Sequence, residues 1–131
     1  MMNIDFNYSG IQVKAVFSDN INMLSAMSGT GKSFLFLIIQ HYAKENGLAC
    51  RLFDYKTDNS EQHILTECSN ADILIFDNAD LYISKDLLGK LKTRCKCILI
   101  SLKDLSKIEF GSVGLYSILY SGNKMEVNRV E

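Results

Sequence analysis

Apolar and polar residues alternate with a period of two at the start of the chain: Ile4, Phe6 and Tyr8, then Ile11, Val13, Ala15 and Phe17, with Ser9 and Gly10 between. This alternation predicts two strands with one buried face each, and the two-residue break predicts a hairpin. A third apolar run, Ile21 to Ala26, leads into the segment SGTGKS. Phe34 to Ala43 is then long enough for a helix, and Gly47 suits its left-handed stop. Ala49 to Tyr55 reads as a strand. Asn59 to Cys68 reads as a helix, with Asp58 and Glu61 at capping-box spacing.

Ala71 to Asp77, ADILIFD, is a near-continuous apolar run ending in an acid, the pattern of a parallel strand buried on both faces. Ser84 can cap a helix that runs to about Arg94, and Cys95 to Ser101 forms another apolar strand. A last hairpin is predicted from Leu115 to Tyr120 and Met125 to Val130, turning at Ser121, Gly122 and Asn123. Strands alternating with helices predict an α/β fold: a parallel central sheet with right-handed crossovers and flanking helices, with antiparallel hairpins at both termini. No repeat, low-complexity tract or linker interrupts the pattern, so residues 1–131 read as one domain.

Composition narrows the functional classes. Lys plus Arg at 14 against Asp plus Glu at 15 gives a net charge of −1, which offers no bulk attraction for polyanions. The longest apolar run, Phe34 to Ile39, falls far short of the roughly 18 residues that span a bilayer. The first ten residues lack the basic and apolar regions of a secretory signal, so a cytoplasmic protein is expected. Cys50, Cys68, Cys95 and Cys97 lack the paired spacing of a zinc site and read as free, buried or half-buried thiols. Cys95 and Cys97, two apart, would share one face of a strand. His41 and His63 have no second ligand at metal spacing and read as surface residues.

The chemistry is concentrated in Ala26-Met27-Ser28-Gly29-Thr30-Gly31-Lys32-Ser33, which matches the phosphate-binding loop, or Walker A, pattern except that Ala26 replaces its first Gly. Glycines at 29 and 31 let successive backbone N–H groups turn inward around phosphate oxygens at the start of the following helix. Met27, Ser28, Gly29, Thr30, Gly31, Lys32 and Ser33 are the candidate nucleotide-binding residues. Lys32 would reach the β and γ phosphates, and the Ser33 hydroxyl would ligate Mg²⁺. Asp77, ending the run ILIF, has the Walker B pattern and would hold the Mg²⁺ through its water shell.

These motifs resemble the P-loop NTPase superfamily over about Ile21 to Ser101, in particular its additional-strand class, which includes ABC, SMC, RecA-like and AAA-like ATPase cores. The stretch Phe17 to Leu24 is similar to the way ABC-type and SMC-type heads lead from a hairpin into the loop. The resemblance implies ATP and Mg²⁺ as cofactors, with ATP favoured because no NKxD-type guanine-reading motif is present. It also implies that Ser101, at the end of a strand placed like a sensor strand, contacts the γ-phosphate or the attacking water.

The chain departs from that family in two ways. Only 43 residues separate Ser33 from Asp77, too few for the helical insertion of ABC and SMC heads, and no signature motif is visible. The catalytic Glu that follows the Mg²⁺ Asp in many of these ATPases is replaced by Asn78, which cannot accept a proton. The general base would then be Asp80 or Asp54. No arginine finger is placed by sequence among Arg51, Arg94 and Arg129. Lys85, Lys90, Lys92, Arg94 and Lys96 make a basic run that reads as a solvated helix side or, without interleaved aromatics, a weak nucleic-acid contact.

Two functions are therefore expected. One is a minimal Mg²⁺-dependent ATP-binding protein whose hydrolysis is slow or activated by a partner or second copy that supplies the missing groups. The other is a non-catalytic regulator or inhibitor, of the kind carried by mobile elements, that keeps the fold and acts through protein binding. Asn78 and Ala26 favour the second; Lys32, Ser33 and Asp77 favour the first. A small-molecule kinase matches poorly, although Asp54, Tyr55 and Lys56 lie where a second substrate would bind.

Overall fold

The structure, a computed structural model, describes residues 2–24, 31–102 and 113–130. In chain order the elements are β1 (Met2–Tyr8), β2 (Ile11–Phe17), β3 (Ile21–Leu24), α1 (Lys32–Glu45), β4 (Cys50–Phe53), α2 (Glu61–Cys68), β5 (Ile73–Phe76), α3 (Lys85–Lys92), β6 (Cys97–Ser101), β7 (Gly114–Ser121) and β8 (Lys124–Arg129). A short 3-10 turn, Ala79–Leu81, follows β5. The eight strands form one mixed sheet in the order β1-β2-β8-β7-β3-β6-β5-β4.

Both expected hairpins form. β1 pairs antiparallel with β2 across Ser9 and Gly10, which both take left-handed φ values suited to a tight hairpin turn. β7 pairs antiparallel with β8. The arrangement differs from a parallel sheet with antiparallel ends. β8 pairs parallel with β2 and β7 pairs parallel with β3, so both hairpins lie on the same side of the sheet. The physical reason is burial. The second hairpin contributes Tyr116, Met125 and Val127, and the first Ile4, Val13, Ala15 and Phe17, to the core cluster beneath α1.

The interior strands explain themselves from sequence. Ile73-Leu74-Ile75-Phe76 is buried on both faces: Ile73 and Ile75 join the α1 core, whereas Leu74 and Phe76 join a second core under α2 and α3. Helix α1 buries Leu35, Phe36, Ile38, Ile39 and Ala43, and α3 buries Leu87, Leu88 and Leu91, so each packs an apolar stripe on one sheet face. No helix among the described residues is long and apolar enough to cross a membrane.

Two local expectations are corrected. Ser60, not Asp58, is the N-cap of α2: its Oγ accepts the His63 N–H at 3.4 Å, while Asp58 accepts the Ser60 N–H one step earlier. Asp58 therefore belongs to the turn that delivers the cap. Cys95 and Cys97 do not share a face, because β6 begins only at Cys97. Cys95, in the turn after α3, packs into the second core and Cys97 into the first. The four thiols are free. Burial pushes Cys50 up to about 11 and Cys97 up to about 12.

Candidate functional site at the carboxyl edge of the sheet

The parallel register aligns the carboxyl ends of four strands. Phe53 of β4 lies beside Phe76 of β5, Phe76 beside Ile100 of β6, and Leu24 of β3 beside Ser101. The residues that follow or end these strands, Leu24, Asp54, Asp77 and Ser101, therefore lie along one edge. Chain order reverses beside β3: the chain leaves β3 through α1, reaches the far edge strand β4, and returns through β5 and β6. That carboxyl edge is where open α/β sheets bind ligands.

Helix α1 starts at this edge. Its N-cap, Gly31, is left-handed at φ +96°, and no side chain caps it. A Cβ there would be strained, which accounts for glycine at position 31. The first helical residue is Lys32, half-buried, and no acid lies in the first turn. A cation at the positive end of a helix is electrostatically unfavourable unless an anion joins it.

Ser33, in the same turn, meets Asp77 from 44 residues away: its Oγ donates to Asp77 Oδ2 at 3.5 Å. Ser101 Oγ donates to Asp77 Oδ1 at 2.6 Å and accepts the Asn78 N–H at 3.0 Å. Ser101 is one of two fully buried polar residues in the described cores. Its hydroxyl proton is committed to orienting Asp77. Asn78 is left-handed at φ +52°, a conformation asparagine tolerates better than most residues.

The remaining sequence candidates are placed as follows. Asp54 Oδ1 accepts the backbone N–H groups of Lys56 and Thr57 at 2.7 and 3.0 Å, so that carboxylate builds the turn after β4. Asp80 is half-buried in the 3-10 turn, close enough to raise the Tyr82 pKa together with Asp77 and Asp54. Gly31, Lys32, Ser33, Asp77 and Ser101 converge at the carboxyl edge; Met27, Ser28, Gly29 and Thr30 lie outside the described residues. Among described residues, no cluster of three or more His, Cys, Asp or Glu side chains could hold a metal ion. One hydroxyl and one carboxylate instead form the sparse hard-oxygen set that suits a hydrated Mg²⁺.

Tyr82 was not singled out by sequence. Its hydroxyl lies 2.7 Å from the Asp77 carbonyl oxygen and 2.8 Å from that of Phe53, tying the ends of β4 and β5 together. Burial, then the three nearby carboxylates, push its pKa well above the phenol range. Only its position five residues beyond Asp77 hinted at this role.

Two of the three arginines are held in ion pairs elsewhere. Arg51 pairs with Glu67 at 3.0 Å and Arg129 with Asp19 at 2.9 Å, while Arg94 follows α3 and is exposed. Within the basic run, Lys90 is paired with Glu61 and Asp86. His41 is exposed on α1 with its ring tilted against Tyr8; half-buried His63 lies 3.8 Å from Asp58.

No family model matches this chain, and no curated protein matches it. Among solved structures it is similar to a crystal structure of a DNA replication initiation factor, with a TM-score of 0.55 and 15% sequence identity. The match covers 72% of this chain and 36% of that one, so the chain spans just over a third of that protein's length. At this identity the likeness is one of α/β fold.

Proposed function

We propose that this chain binds a nucleoside triphosphate, ATP by preference, together with Mg²⁺, at the carboxyl edge of its sheet, as a compact single-domain member of the P-loop NTPase class. The observation that carries the reading is the meeting of Ser33 and Asp77 at 3.5 Å, with Ser101 fixing the second carboxylate oxygen. Two residues assigned from separate motifs thus face one another at the start of an uncapped helix. The strand order supports the same reading: β6 lies between β3 and β5, as an additional-strand class requires.

Ser33 and Asp77 would hold Mg²⁺, which when bound supplies positive charge that offsets the charge gathering on phosphoryl oxygens. Lys32 and the α1 backbone N–H groups bind and orient the phosphates. Ser101 keeps Asp77 pointed at the site, and Tyr82 holds the strand ends that carry it. Hydrolysis, slow or partner-activated, follows from what is absent: Asn78 cannot take a proton, and neither Arg51 nor Arg129 is free of its ion pair. Asp80 and Asp54 are the in-chain candidates for the base, and Asp54 already serves its turn.

The same observations favour a second reading, a regulator that binds nucleotide or has lost it and acts by docking on another protein. The replication initiation factor adds nucleic acid or its associated proteins as partners worth testing.

Thermal unfolding with and without Mg·ATP separates these readings, since a ligand that binds only the folded state raises stability by mass action. At a ligand concentration about one hundred times Kd the gain is about 2.7 kcal/mol, several degrees in Tm. Lys32→Ala should abolish it. No shift at millimolar Mg·ATP would overturn nucleotide binding and leave the docking reading.

A further inference from the structure

Among the described residues, Tyr8 and Tyr120 lie toward α1 on the sheet face that it covers, and only Tyr8 has a ring partner. Strand β7 passes beside β3 with Tyr116 opposite Leu24 and continues through Ser121. Tyr120 is thus four residues beyond the last described residue of β3, a rise of roughly 13 Å past that point. Tyr116, Ile118 and Tyr120 occupy alternate positions and so face the α1 side: Tyr116 is in the α1 core, Ile118 packs against it, and Tyr120 emerges at 47% exposure.

Register ties Tyr120 to the candidate phosphate site. Its cross-strand partner is Met125, and directly opposed residues of an antiparallel pair stand on the same face, with Cα atoms about 5 Å apart. Met125 is fully buried, and its Cε lies 3.5 Å from where a Cβ on Gly31 would be. Tyr120 therefore stands one strand away from the residue beneath the N-cap of α1. Tyr8, also near this helix, is already engaged: its ring is edge-on to Phe34 at 6.1 Å and tilted against His41 at 4.9 Å. The Tyr120 ring has no aromatic or cationic partner among the described residues.

We propose that Tyr120 is the stacking surface for the base of the bound nucleotide, with the phosphates at the start of α1. The assignment rests on the nucleotide-site reading and adds to it the contact that distinguishes a nucleotide from a bare polyphosphate. An exposed, flat π-face beside an anion site accepts any base, so the contact selects for nucleotides over inorganic polyphosphates rather than for one base over another.

Calorimetric titration of the whole protein with Mg·ATP and with inorganic tripolyphosphate plus Mg²⁺ tests this. Base stacking of the usual strength predicts that Tyr120→Ala weakens Mg·ATP about tenfold and leaves tripolyphosphate unchanged. Tyr120→Phe should retain wild-type affinity. Tyr120→Leu, apolar without a flat ring, should resemble Tyr120→Ala. Equal Mg·ATP affinity in wild type and Tyr120→Ala would overturn the assignment while leaving the phosphate site intact. Parallel loss of ATP and tripolyphosphate in Tyr120→Ala would overturn it too, because the residue would then act through the fold. Wild-type protein that binds neither ligand would overturn the nucleotide site itself and this contact with it.

Discussion

Two aspartates, at opposite edges of the parallel part of the sheet, have contrasting surroundings. Asp19 precedes β3 at the amino edge. Its Oδ2 accepts from the Arg129 guanidinium at 2.9 Å and from the Tyr116 hydroxyl at 2.6 Å. Those two bonds, Arg129 first, hold its pKa below the ordinary carboxylate value. Asp77 follows β5 at the carboxyl edge. It has two serine hydroxyls, and among the described residues no Lys or Arg nitrogen lies within ion-pair distance. One carboxylate is completed by the protein's own cation. The other is oriented by serine hydroxyls and has no such cation among the described residues, the contrast on which the proposed Mg²⁺ site rests.

The largest effect that would break this comparison is on ligand binding. Asp77→Asn keeps the shape and removes the charge, and loss of an orienting carboxylate around a metal commonly costs 10- to 100-fold in affinity. Mg·ATP affinity of Asp77→Asn should fall by about that factor while its unfolding free energy without ligand stays within about 0.5 kcal/mol of wild type, because the amide Oδ1 still accepts from the buried Ser101 hydroxyl and no described cation loses a partner. Asp19→Asn should do the reverse. It loses a solvent-screened ion pair and hydrogen bond worth no more than about 1 kcal/mol of stability and leaves Mg·ATP affinity unchanged. Denaturant unfolding and calorimetry on the two variants check both halves. Equal behaviour of the two variants would remove the distinction on which the site is built.

The helix starts sharpen the contrast at smaller magnitude. Helices α2 and α3 begin with Ser60 and Ser84 caps and carry Glu61 and Asp86 in the first turn, so their termini are satisfied locally. Helix α1 has Gly31 and Lys32 in the corresponding places. Ser84→Ala, which removes the bond that the Leu87 N–H donates to Ser84 Oγ at 3.0 Å, should cost about 1 kcal/mol in denaturant unfolding. It should leave Mg·ATP affinity within experimental error of wild type. An affinity loss in Ser84→Ala would mean that α3 communicates with the site.

Much of this was legible from local pattern. The strand ILIF, the serine cap at Ser84 and the hairpins at Ser9-Gly10 and Gly122-Asn123 follow from burial period and turn chemistry acting over a few residues. Lys32, Ser33 and Asp77 could be named because their spacing carries a motif. Strand order could not be read in that way. The parallel pairing of β2 with β8 joins segments about 110 residues apart, and only the shared core under α1 selects it. Tyr82 and Tyr120 were missed for the same reason. A tyrosine that ties two strand ends and one on an extended hairpin look alike in sequence, and their roles depend on which strands neighbour them. Ser101 was named for contact with the γ-phosphate or the attacking water; that its buried hydroxyl also donates to Asp77 depends on a bond between two strand ends that sequence does not reveal.

The smallest effect concerns pH and the amino edge. Because the folded-state pKa of Asp19 is lowered, its contribution to stability is fully present above the unfolded-state value near 3.8 and is lost as pH falls through the folded value. At pH 7 the wild type should exceed Asp19→Asn by up to about 1 kcal/mol, the worth of its solvent-screened charged contacts. That gap should hold down to about pH 5 and close progressively below about pH 4, as the carboxylate protonates and the ion pair to Arg129 disappears. Chemical denaturation of both proteins across this range measures the gap directly. A gap that stays constant to pH 2 would mean that Asp19 contributes through the shape of its hydrogen bonds rather than through its charge. The amino edge would then be held as the carboxyl edge is, by oriented neutral groups around an aspartate.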